Sequence, residues 1–465
     1  MSSTGEMDPE LTDVFLDPAN VSAGALFCCI QGSRRDGHDL AGLAARRGAV
    51  ALLCERHLDV GLPQLVVSSA REALACASVF VYGQPATKLR VVGITGTNGK
   101  TTTAAFVESI LRADGMEPLL IGTLSGARTT PDAADLQRQL ASAVASGKKS
   151  VVMEVSSHAL VQHRVDAMRF DVSVFTNLSR DHLDYHGTME AYFEAKAMLF
   201  DAARTTMSVI NIDDEYGRRL AERQNDRYPS NNAKSPTMSQ FGIADAEELK
   251  VGVTGAEFRW KGFAMRTHVA GGFNVMNALA AITASSALDI APEAAAVGLA
   301  ALEGVPGRFE VVASSHPAIV VVDYAHTPDG LERLLIDARK LVKLDGSLVV
   351  VFGCGGDRDT GKRPQMGAVA VARADVVIVT SDNPRSEDPR QIIDDILTGI
   401  ATPSSALVIS DRRQAIAQAL EDAKEGDVVV VAGKGHERTQ DICGVLTDFD
   451  DRQVIVELAR QMAQA

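Results

Sequence analysis

The 465-residue chain has little cysteine, and the spacing of its cysteines does not match a metal site. The six are scattered, mostly within apolar stretches, at Cys28, Cys29, Cys54, Cys76, Cys354 and Cys443. This usage excludes a disulfide-stapled secreted scaffold and a cysteine-based zinc module. It predicts buried free thiols in a reducing compartment.

Long apolar runs and an excess of basic residues are also absent. No uncharged apolar run approaches the roughly 20 residues of a membrane helix. The stretch "MSSTGEMDPELTDVF" lacks the basic start and apolar core of a signal peptide. The formal net charge of −14 argues against nucleic-acid binding but leaves room for small anionic substrates, which local basic groups can hold. We therefore expect a cytoplasmic protein without membrane insertion.

Short apolar strands alternate with helical stretches along most of the chain, as in "LRVVGIT", "SVVMEVSS", "SLVVVFG" and "DVVVVAGKG". This alternation predicts α/β domains with parallel sheets. A length of 465 residues exceeds one ordinary domain. We expect three: a small N-terminal α/β domain (1–87), a central P-loop ATPase-like parallel-sheet domain (88–310) and a C-terminal Rossmann-like domain (311–465).

A glycine loop between a strand and a helix, "GITGTNGKTTT", is the clearest chemical signal. The strict phosphate-loop spacing requires a glycine where this chain has Ile94. Even so, backbone N–H groups at a helix N-terminus favour phosphate, and a lysine and a threonine hydroxyl would hold phosphate and Mg²⁺. The alternative is an ordinary glycine-rich turn. The candidate nucleotide residues are Gly96, Thr97, Asn98, Gly99, Lys100, Thr101 and Thr102.

Ionisable residues collect in two further stretches. Glu154 ends the apolar strand "VVMEVSS", where a carboxylate costs energy unless it meets a cation or donors. "SRDHLDYHG" holds Asp181, His182, Asp184 and His186, which fits either a second Mg²⁺ site or a loop with two surface histidines. Lys196 follows in a helix between two alanines, a setting that would normally be a solvated helix face.

These stretches together resemble the Mur ligases. The resemblance rests on GTNGKTTT, EVSSHAL, SRDHLDYHG, a helix with EAK, FNVMNALAA, GVPGRFE, VDYAHTPDGL, FGCGGDRDTGKRP, DNPR and GKGHE, and spans residues 12–465. Within the family they look most like the enzyme that adds the third peptide residue. The family's loop is G-T-x-G-K-[ST], so Ile94 is expected there.

The resemblance implies ATP as co-substrate, Mg²⁺, and a catalytic set of Lys100, Glu154, His182 and Lys196. Lys196 matches a lysine that is carbamylated in the family, and a small apolar neighbourhood suits a lysine that must lose its charge to react with CO₂. Metal ligands would be Thr101, Glu154, His182 and the Lys196 carbamate. Asn277, Arg308 and Asp323 would contact the nucleotide, with His326 nearby.

The resemblance also implies two further substrates. The UDP-N-acetylmuramoyl dipeptide would contact Leu16, Thr129, Thr130, Ser156, Gln162 and Arg164, the last as a carboxylate clamp. The chain departs from the family at Pro18-Ala19, where a Ser-Arg pair is usual, so uridine binding has weaker support. meso-Diaminopimelate would contact Arg358, Asp382, Asn383, Pro384, Arg385, Gly433 and Glu437.

The DNPR stretch bears on the choice of amino acid. A guanidinium binds the distal carboxylate of diaminopimelate in bidentate fashion, whereas lysine would leave Arg385 unpaired. The alternatives are the same ligation with L-lysine, a folylpolyglutamate-synthase-like ligase, a P-loop NTPase switch and an inactive binding protein. We expect a monomeric ligase of peptidoglycan precursor synthesis, and hence of cell-wall biogenesis, cell shape and division.

Overall fold

The computed structural model describes residues 2–4, 9–32, 35–126, 128–228, 236–312 and 314–464. Its strands form three larger sheets that follow one another along the chain, and two small antiparallel sheets. The larger sheets are mostly parallel, as predicted from the alternation of strands and helices.

The first sheet has the strand order β1-β5-β4-β3-β2 and is parallel except at β1. Its strands and helices are β1 (Ser2–Thr4), β2 (Asp13–Phe15), β3 (Ala25–Cys28), α1 (Ala41–Arg46), β4 (Ala49–Cys54), β5 (Gln64–Val66) and α2 (Ala70–Val81). A 3₁₀ turn, Pro85–Lys88, leads from this sheet to the next.

The central sheet has the order β11-β10-β9-β6-β8-β7, and every pairing in it is parallel. Its strands are β6 (Arg90–Thr95), β7 (Pro118–Ile121), β8 (Ser150–Glu154), β9 (Phe170–Phe175), β10 (Thr205–Asn211) and β11 (Thr237–Phe241). The connecting helices are α3 (Lys100–Ala113), α4 (Ala133–Ala145), α5 (Ser157–Val161), α6 (Leu183–His186), α7 (Met189–Ala197) and α8 (Glu215–Arg227).

Apolar clusters cover both faces of this sheet, which explains why its strands are nearly continuous apolar runs. A small antiparallel sheet and two helices complete one of these layers with Trp260, Phe258 and Met265. They are β12 (Glu247–Gly252), β13 (Gly255–Trp260), β14 (Phe263–Thr267), α9 (Phe273–Ser286) and α10 (Pro292–Ala301).

The C-terminal sheet has the order β15-β16-β20-β17-β18-β19 and is parallel except at β15. Its strands are β15 (Glu310–Val311), β16 (Ile319–Asp323), β17 (Leu348–Phe352), β18 (Val376–Val379), β19 (Ala406–Val408) and β20 (Val428–Ala432), followed by the hairpin β21 (Thr439–Ile442) and β22 (Val445–Asp448). Its helices are α11 (Pro328–Arg339), α12 (Arg363–Arg373), α13 (Pro389–Leu397), α14 (Arg412–Asp422) and α15 (Asp451–Gln464).

Capping residues fix where these helices begin. The Thr327 hydroxyl accepts from the backbone N–H of Gly330, and Pro328 takes the first position of α11. The Asp388 carboxylate caps α13 in the same way, through the N–H of Arg390. Such caps satisfy N–H groups that have no partner within the helix.

The α/β fold with parallel sheets is confirmed, while the boundaries near 87 and 310 stay predictions. The prediction of buried thiols holds for Cys28, Cys29, Cys54 and Cys354. It is wrong for Cys76 and Cys443, which are exposed because they lie on the outer face of α2 and in the turn of the β21–β22 hairpin. Among the described residues, none of the helices is long and apolar enough to cross a membrane.

Candidate active site

A cleft of about 360 Å³ lies between the carboxyl-terminal edges of the central and C-terminal sheets. Residues that follow parallel strands gather at such an edge, and ligands bind there in α/β proteins. Most of the predicted site residues line this interdomain cleft: Thr97, Asn98, Gly99, Lys100, Thr101, Thr102, Thr129, Glu154, Ser156, His182, Lys196, Asn277, Arg308, Asp323, Arg358, Asp382, Asn383, Arg385, Gly433 and Glu437.

The glycine loop turns directly from β6 into α3. Gly99 has φ +86°, and a Cβ there would lie 2.3 Å from the Asn277 side-chain oxygen, so the position requires glycine. The helix begins at Lys100, which places its first N–H groups beside the loop. This is the geometry of an anion site at a helix N-terminus.

Residues after β9 hold the loop in shape. The backbone N–H of Asn98 donates to the Asn177 side chain at 2.9 Å, and the Thr176 hydroxyl donates to the Asn98 carbonyl at 2.6 Å. Lys100 Nζ bends back to the carbonyls of Gly96 and Thr97, at 3.0 and 2.8 Å. Burial disfavours its ammonium and lowers the pKa of Lys100. The lysine is thus positioned over the loop that would receive phosphate.

Glu154 is buried at the end of β8 and is satisfied by neutral donors. Its carboxylate accepts from the Thr101 hydroxyl at 3.0 Å and from the backbone N–H of Thr123 at 2.8 Å. Arg308, from beyond the central sheet, donates to the same Thr101 hydroxyl at 3.0 Å. A carboxylate and a hydroxyl side by side are oxygen donors of the kind that Mg²⁺ prefers.

Lys196 lies on α7 with only 1% of its surface exposed, so the interpretation of this position as a solvated helix face is wrong. Its Nζ donates to the Gly96 carbonyl at 2.7 Å and lies 4.7 Å from the centre of the Tyr192 ring. Burial, reinforced by the Lys100 cation, depresses the pKa of Lys196 well below its usual value. The side chain that lies against the Gly96 carbonyl of the glycine loop is therefore a lysine whose charged form is disfavoured.

His182 and Asp181 behave differently although they are adjacent. Burial lowers the pKa of His182 to about 3, so its imidazole is neutral and can offer a nitrogen lone pair. Asp181 is buried and contacts two side chains from the opposite wall, the His326 imidazole and the Lys362 ammonium, each at 3.5 Å. Two further polar contacts cross the cleft, Asn98 to Asp329 at 3.1 Å and Arg180 to Asp359 at 3.3 Å.

The two histidines of the "SRDHLDYHG" loop are half-buried, although Asp184, Tyr185 and Gly187 are exposed. The His186 ring stacks on Tyr192, with ring centres 4.9 Å apart, and its Nε2 lies 2.9 Å from the Ser157 hydroxyl. In the described part of the chain, no group of three or more His, Cys, Asp or Glu side chains is arranged to hold a metal. A metal here would need ligands from phosphate as well, which is usual for Mg²⁺.

The opposite wall begins at the hinge into the C-terminal sheet. Both carboxylate oxygens of Asp323 accept backbone N–H groups, from Phe309 and Ala325, each at 2.7 Å. Burial nevertheless raises the pKa of Asp323. The Arg308 guanidinium lies 4.5 Å from the Tyr324 ring centre, which directs it towards the glycine loop. Asn277 contacts that loop from α9, through Thr103.

The residues predicted for diaminopimelate cluster at the ends of β17, β18 and β20. The Asn383 amide donates to Glu437 at 2.7 Å, and Arg385 donates to the Gly356 carbonyl at 2.6 Å. A Cβ on Gly433 would lie 2.3 Å from the Asp382 carboxylate, so this glycine lets the segments that follow β18 and β20 lie close together. Arg358 is exposed, and Pro384 lies outside the lining.

The predicted sugar-peptide residues are only partly brought together. Thr129 and Ser156 line the interdomain cleft, whereas Gln162 and Thr130 lie beside it and both accept from Arg164, at 2.6 and 2.8 Å. Arg164 is also 3.1 Å from Asp132. The guanidinium that was expected to bind a substrate carboxylate is therefore paired with groups of the protein itself. Leu16 packs on an apolar cluster of the first sheet, and the Pro18 carbonyl accepts from Arg47 at 2.8 Å.

Comparison with known proteins accounts for this arrangement. Three family models match in order: the Mur ligase family catalytic domain at residues 10–79, the Mur ligase middle domain at 94–285, and the Mur ligase glutamate ligase domain at 307–435. A UDP-N-acetylmuramoyl-L-alanyl-D-glutamate--2,6-diaminopimelate ligase of Geobacillus kaustophilus is 44% identical, over 96% of this chain and 94% of that protein. The chain belongs to the Mur ligase family.

Solved structures agree with this assignment. A UDP-N-acetylmuramoyl-L-alanyl-D-glutamate--2,6-diaminopimelate ligase has a TM-score of 0.66 and 34% identity, covering 98% of this Mur ligase and 96% of that chain. The folylpolyglutamate synthase of Mycobacterium tuberculosis has a TM-score of 0.63 at 19% identity, covering 84% and 94%. The second likeness shows a shared fold alone. Membership of the family implies ATP and Mg²⁺ in general terms.

Several residues of the cleft were missed by sequence reasoning. Lys362, which pairs with Asp181, lies in the FGCGGDRDTGKRP stretch, and Thr123, which donates to Glu154, lies outside the motifs of the resemblance. Thr123 follows the end of β7, and that strand-end position was the available signal. The partners of Asp181 come from residues more than 140 positions away, at 326 and 362, and no local pattern predicts such a contact.

Proposed function

We propose that this Mur ligase adds meso-diaminopimelate to the γ-carboxylate of the D-glutamyl residue of UDP-N-acetylmuramoyl-L-alanyl-D-glutamate. ATP drives the ligation, in cytoplasmic peptidoglycan precursor synthesis, and the enzyme acts as a monomer. One observation carries the proposal: a single cleft has a phosphate loop on one wall and the Asp382–Arg385 and Gly433–Glu437 segments on the other. The activity of the similar diaminopimelate ligases agrees with that pairing.

The first step activates the acid. An oxygen of the D-glutamyl γ-carboxylate attacks the γ-phosphorus of ATP, the bond to the β-phosphate oxygen breaks, and ADP leaves. Lys100 and the N–H groups at the start of α3 offset the negative charge that gathers on the transferred phosphoryl group. Arg308 is placed to add a second positive charge beside Thr101. The product of this step is an acyl phosphate.

The second step forms the amide. The amine of diaminopimelate attacks the acyl carbon, phosphate leaves, and the nitrogen loses a proton. Asp382, Asn383 and Glu437 are the oxygen-bearing groups nearest to where that amino acid would lie. The two walls already meet through Asp181 and its partners, and closer approach of the walls around the substrates would exclude water that would hydrolyse the acyl phosphate.

The residues present fit a magnesium ion. Thr101, Glu154 and His182 offer a hydroxyl, a carboxylate and a neutral imidazole on one side of the glycine loop. Mg²⁺ would neutralise phosphate charge and polarise the phosphoryl oxygens. Mg²⁺ commonly completes its coordination with phosphate oxygens and water, so a set of fewer than three carboxylate or imidazole ligands is sufficient.

We also propose that Lys196 is carbamylated. Its neutral amine would attack CO₂, forming a C–N bond and releasing one proton, and the resulting carbamate would be an anion. That anion would lie beside Lys100 and the metal side of the loop, where a negative charge is stabilised. The depressed pKa of Lys196 and its bond to a carbonyl, in place of a carboxylate, support this.

Selectivity for diaminopimelate over L-lysine would come from Arg385 and Arg358. Both line the cleft, and both can bind the distal carboxylate that L-lysine lacks. Arg385 is held at φ +51° and donates to Gly356 through one nitrogen, which leaves other N–H groups for a ligand. The UDP-sugar would extend past Thr129 and Ser156 towards the first sheet, with Leu16, Thr130, Gln162 and Arg164 along its path.

The test is a ligation assay with the UDP-linked dipeptide, ATP and one amino acid. We expect ADP release that requires meso-diaminopimelate, together with a tripeptide product. A preference for L-lysine would support the alternative ligation and overturn the assignment of Arg385. Turnover only with a folate and glutamate would identify a folylpolyglutamate-synthase-like enzyme, and ATP hydrolysis independent of any acceptor would refute a ligase.

A further inference from the structure

A second glycine–lysine stretch, "AGKGHE", follows β20, and the proposed function uses only Gly433 and Glu437 from it. Lys434 stands between two glycines in the left-handed region, with φ +114° at Gly433 and +52° at Gly435. This backbone turns the lysine side chain inward, so that its exposed fraction is 0%. Lys434 is not part of the cleft lining.

The buried ammonium has three acceptors, one for each of its N–H groups. It donates to the Thr439 carbonyl at 2.6 Å, to the Asn383 side-chain oxygen at 3.3 Å and to the Glu437 carboxylate at 3.4 Å. No N–H group of the ammonium is left to hold phosphate. The sequence resembles a phosphate loop, but its lysine is used entirely within the protein.

These bonds fix the orientation of two side chains that do reach the cleft. The Asn383 oxygen receives Lys434 and the backbone N–H of Asp441 at 3.0 Å, so its amide nitrogen must face Glu437, at 2.7 Å. Glu437 in turn has a counter-charge in Lys434, 3.4 Å away. Without the lysine, the Asn383 oxygen would keep only the backbone N–H of Asp441, and the Glu437 carboxylate would lose its counter-charge, so both side chains would be held less firmly.

The geometry points to Lys434 as a positioning residue that sets the amino-acid pocket without touching the amino acid. It acts through Asn383 and Glu437, and the inference rests on the proposed diaminopimelate site. A carboxylate held in one position by the Asn383 amide N–H and the Lys434 ammonium suits an amine donor, so the property that Lys434 controls is recognition of the incoming amino acid.

The experiment compares Lys434→Met with wild type for KM of each substrate and for kcat. Because a hydrogen bond to a charged group is lost, we expect KM for meso-diaminopimelate to rise on the order of 10- to 100-fold. KM for ATP and for the UDP-dipeptide should stay within about twofold. The matched control is Lys343→Met, which removes a surface lysine paired with Glu425 in the same domain and should leave all three KM values unchanged.

A double-mutant cycle with Glu437→Gln separates positioning from general disruption. If Lys434 acts through Glu437, the two changes together should raise KM for diaminopimelate less than the product of their separate effects. If Lys434→Met does not fold, Lys434→Gln, which keeps a donor for Thr439, is measured by the same criteria.

An unchanged KM for diaminopimelate, or an equal rise for all three substrates, would overturn the positioning role while leaving the ligase intact. Wild-type enzyme that fails to use diaminopimelate at all would instead refute the proposed function.

Discussion

Lys100 and Lys434 each follow a glycine at the carboxyl end of a parallel strand, one in the central sheet and one in the C-terminal sheet. After Lys100 the chain continues as α3, so a row of free N–H groups and the positive end of a helix dipole surround the lysine. After Lys434 the chain makes a second glycine turn and enters a hairpin. The same Gly-Lys pair therefore forms an anion site in one place and a set of buried internal hydrogen bonds in the other.

The comparison shows that a glycine–lysine pair does not by itself predict a phosphate site. The role depends on the element that follows and on the acceptors nearby: two carbonyls for Lys100, but a carboxylate, an amide and a carbonyl for Lys434. Kinetics can distinguish the two. Changes around Lys100 should reduce kcat with any amino acid, and changes around Lys434 should raise KM for the amino acid.

The largest effect is expected at the phosphate loop. Lys100→Met should lower kcat by about 10²- to 10³-fold, because a preorganised positive charge is lost from the phosphoryl-transfer step. ADP release with all substrates present measures the change, and circular dichroism checks that the protein is folded. Normal turnover in a folded variant would refute the phosphate-loop assignment.

Lys196→Ala should come next, with kcat lowered on the order of 10²-fold if the carbamate helps to hold the metal. Added acetate or formate should restore part of the activity, because a small carboxylate can replace the missing anion. Absence of any defect would count against the role. A readout independent of turnover is ¹³C NMR of wild type in ¹³C-bicarbonate, which should show a carbamate signal that the variant lacks.

Arg385→Leu should change selectivity more than turnover. Loss of the guanidinium should raise KM for meso-diaminopimelate about 10- to 100-fold, because a charged hydrogen-bond donor to its distal carboxylate is removed. KM for L-lysine, which has no such carboxylate, should not rise. A matching rise for both amino acids would show that Arg385 supports the loop and does not read the substrate.

The smallest effect concerns His436, in the same turn as Lys434. Burial lowers its pKa to about 4 in the folded protein, whereas an unfolded histidine titrates near 6.5. The unfolded state therefore binds more protons between these values, and the contribution of His436 to stability is complete above pH 6.5 and falls as the pH drops towards 4. His436→Gln should reduce the loss of melting temperature between pH 7.5 and 5.0, whereas His57→Gln, at an exposed position, should not.

The sequence was sufficient for the strands and for the glycine loop because both are local. Runs such as "LVVVF" are buried on both faces, and the N–H groups at the start of α3 follow from adjacent residues. The resemblance also located most of the residues that line the cleft. It implied a catalytic role for Lys196 in place of the solvated helix face that the local sequence favoured, and Lys196 is buried.

What the sequence could not predict depends on contacts between distant residues. Arg164 was expected to be free for a substrate carboxylate, but it bonds to Thr130 and Gln162 and lies beside Asp132. Lys434 follows a glycine as Lys100 does, and only its three acceptors show that its ammonium is used within the protein. The role of a side chain depends on the hydrogen bonds and ion pairs that it makes within the fold, and a sequence pattern does not show those partners.

The contacts that cross the cleft, such as those of Asp181 with His326 and Lys362 and of Asn98 with Asp329, join polar side chains. Water can replace such partners when the two walls separate, at a cost of about 1 kcal/mol for an exposed contact and more for the buried Asp181–Lys362 pair. The two walls of the cleft can thus separate at these contacts without exposing apolar side chains to solvent. An enzyme that must release a bulky product can in this way pass repeatedly through an open state with little risk of aggregation.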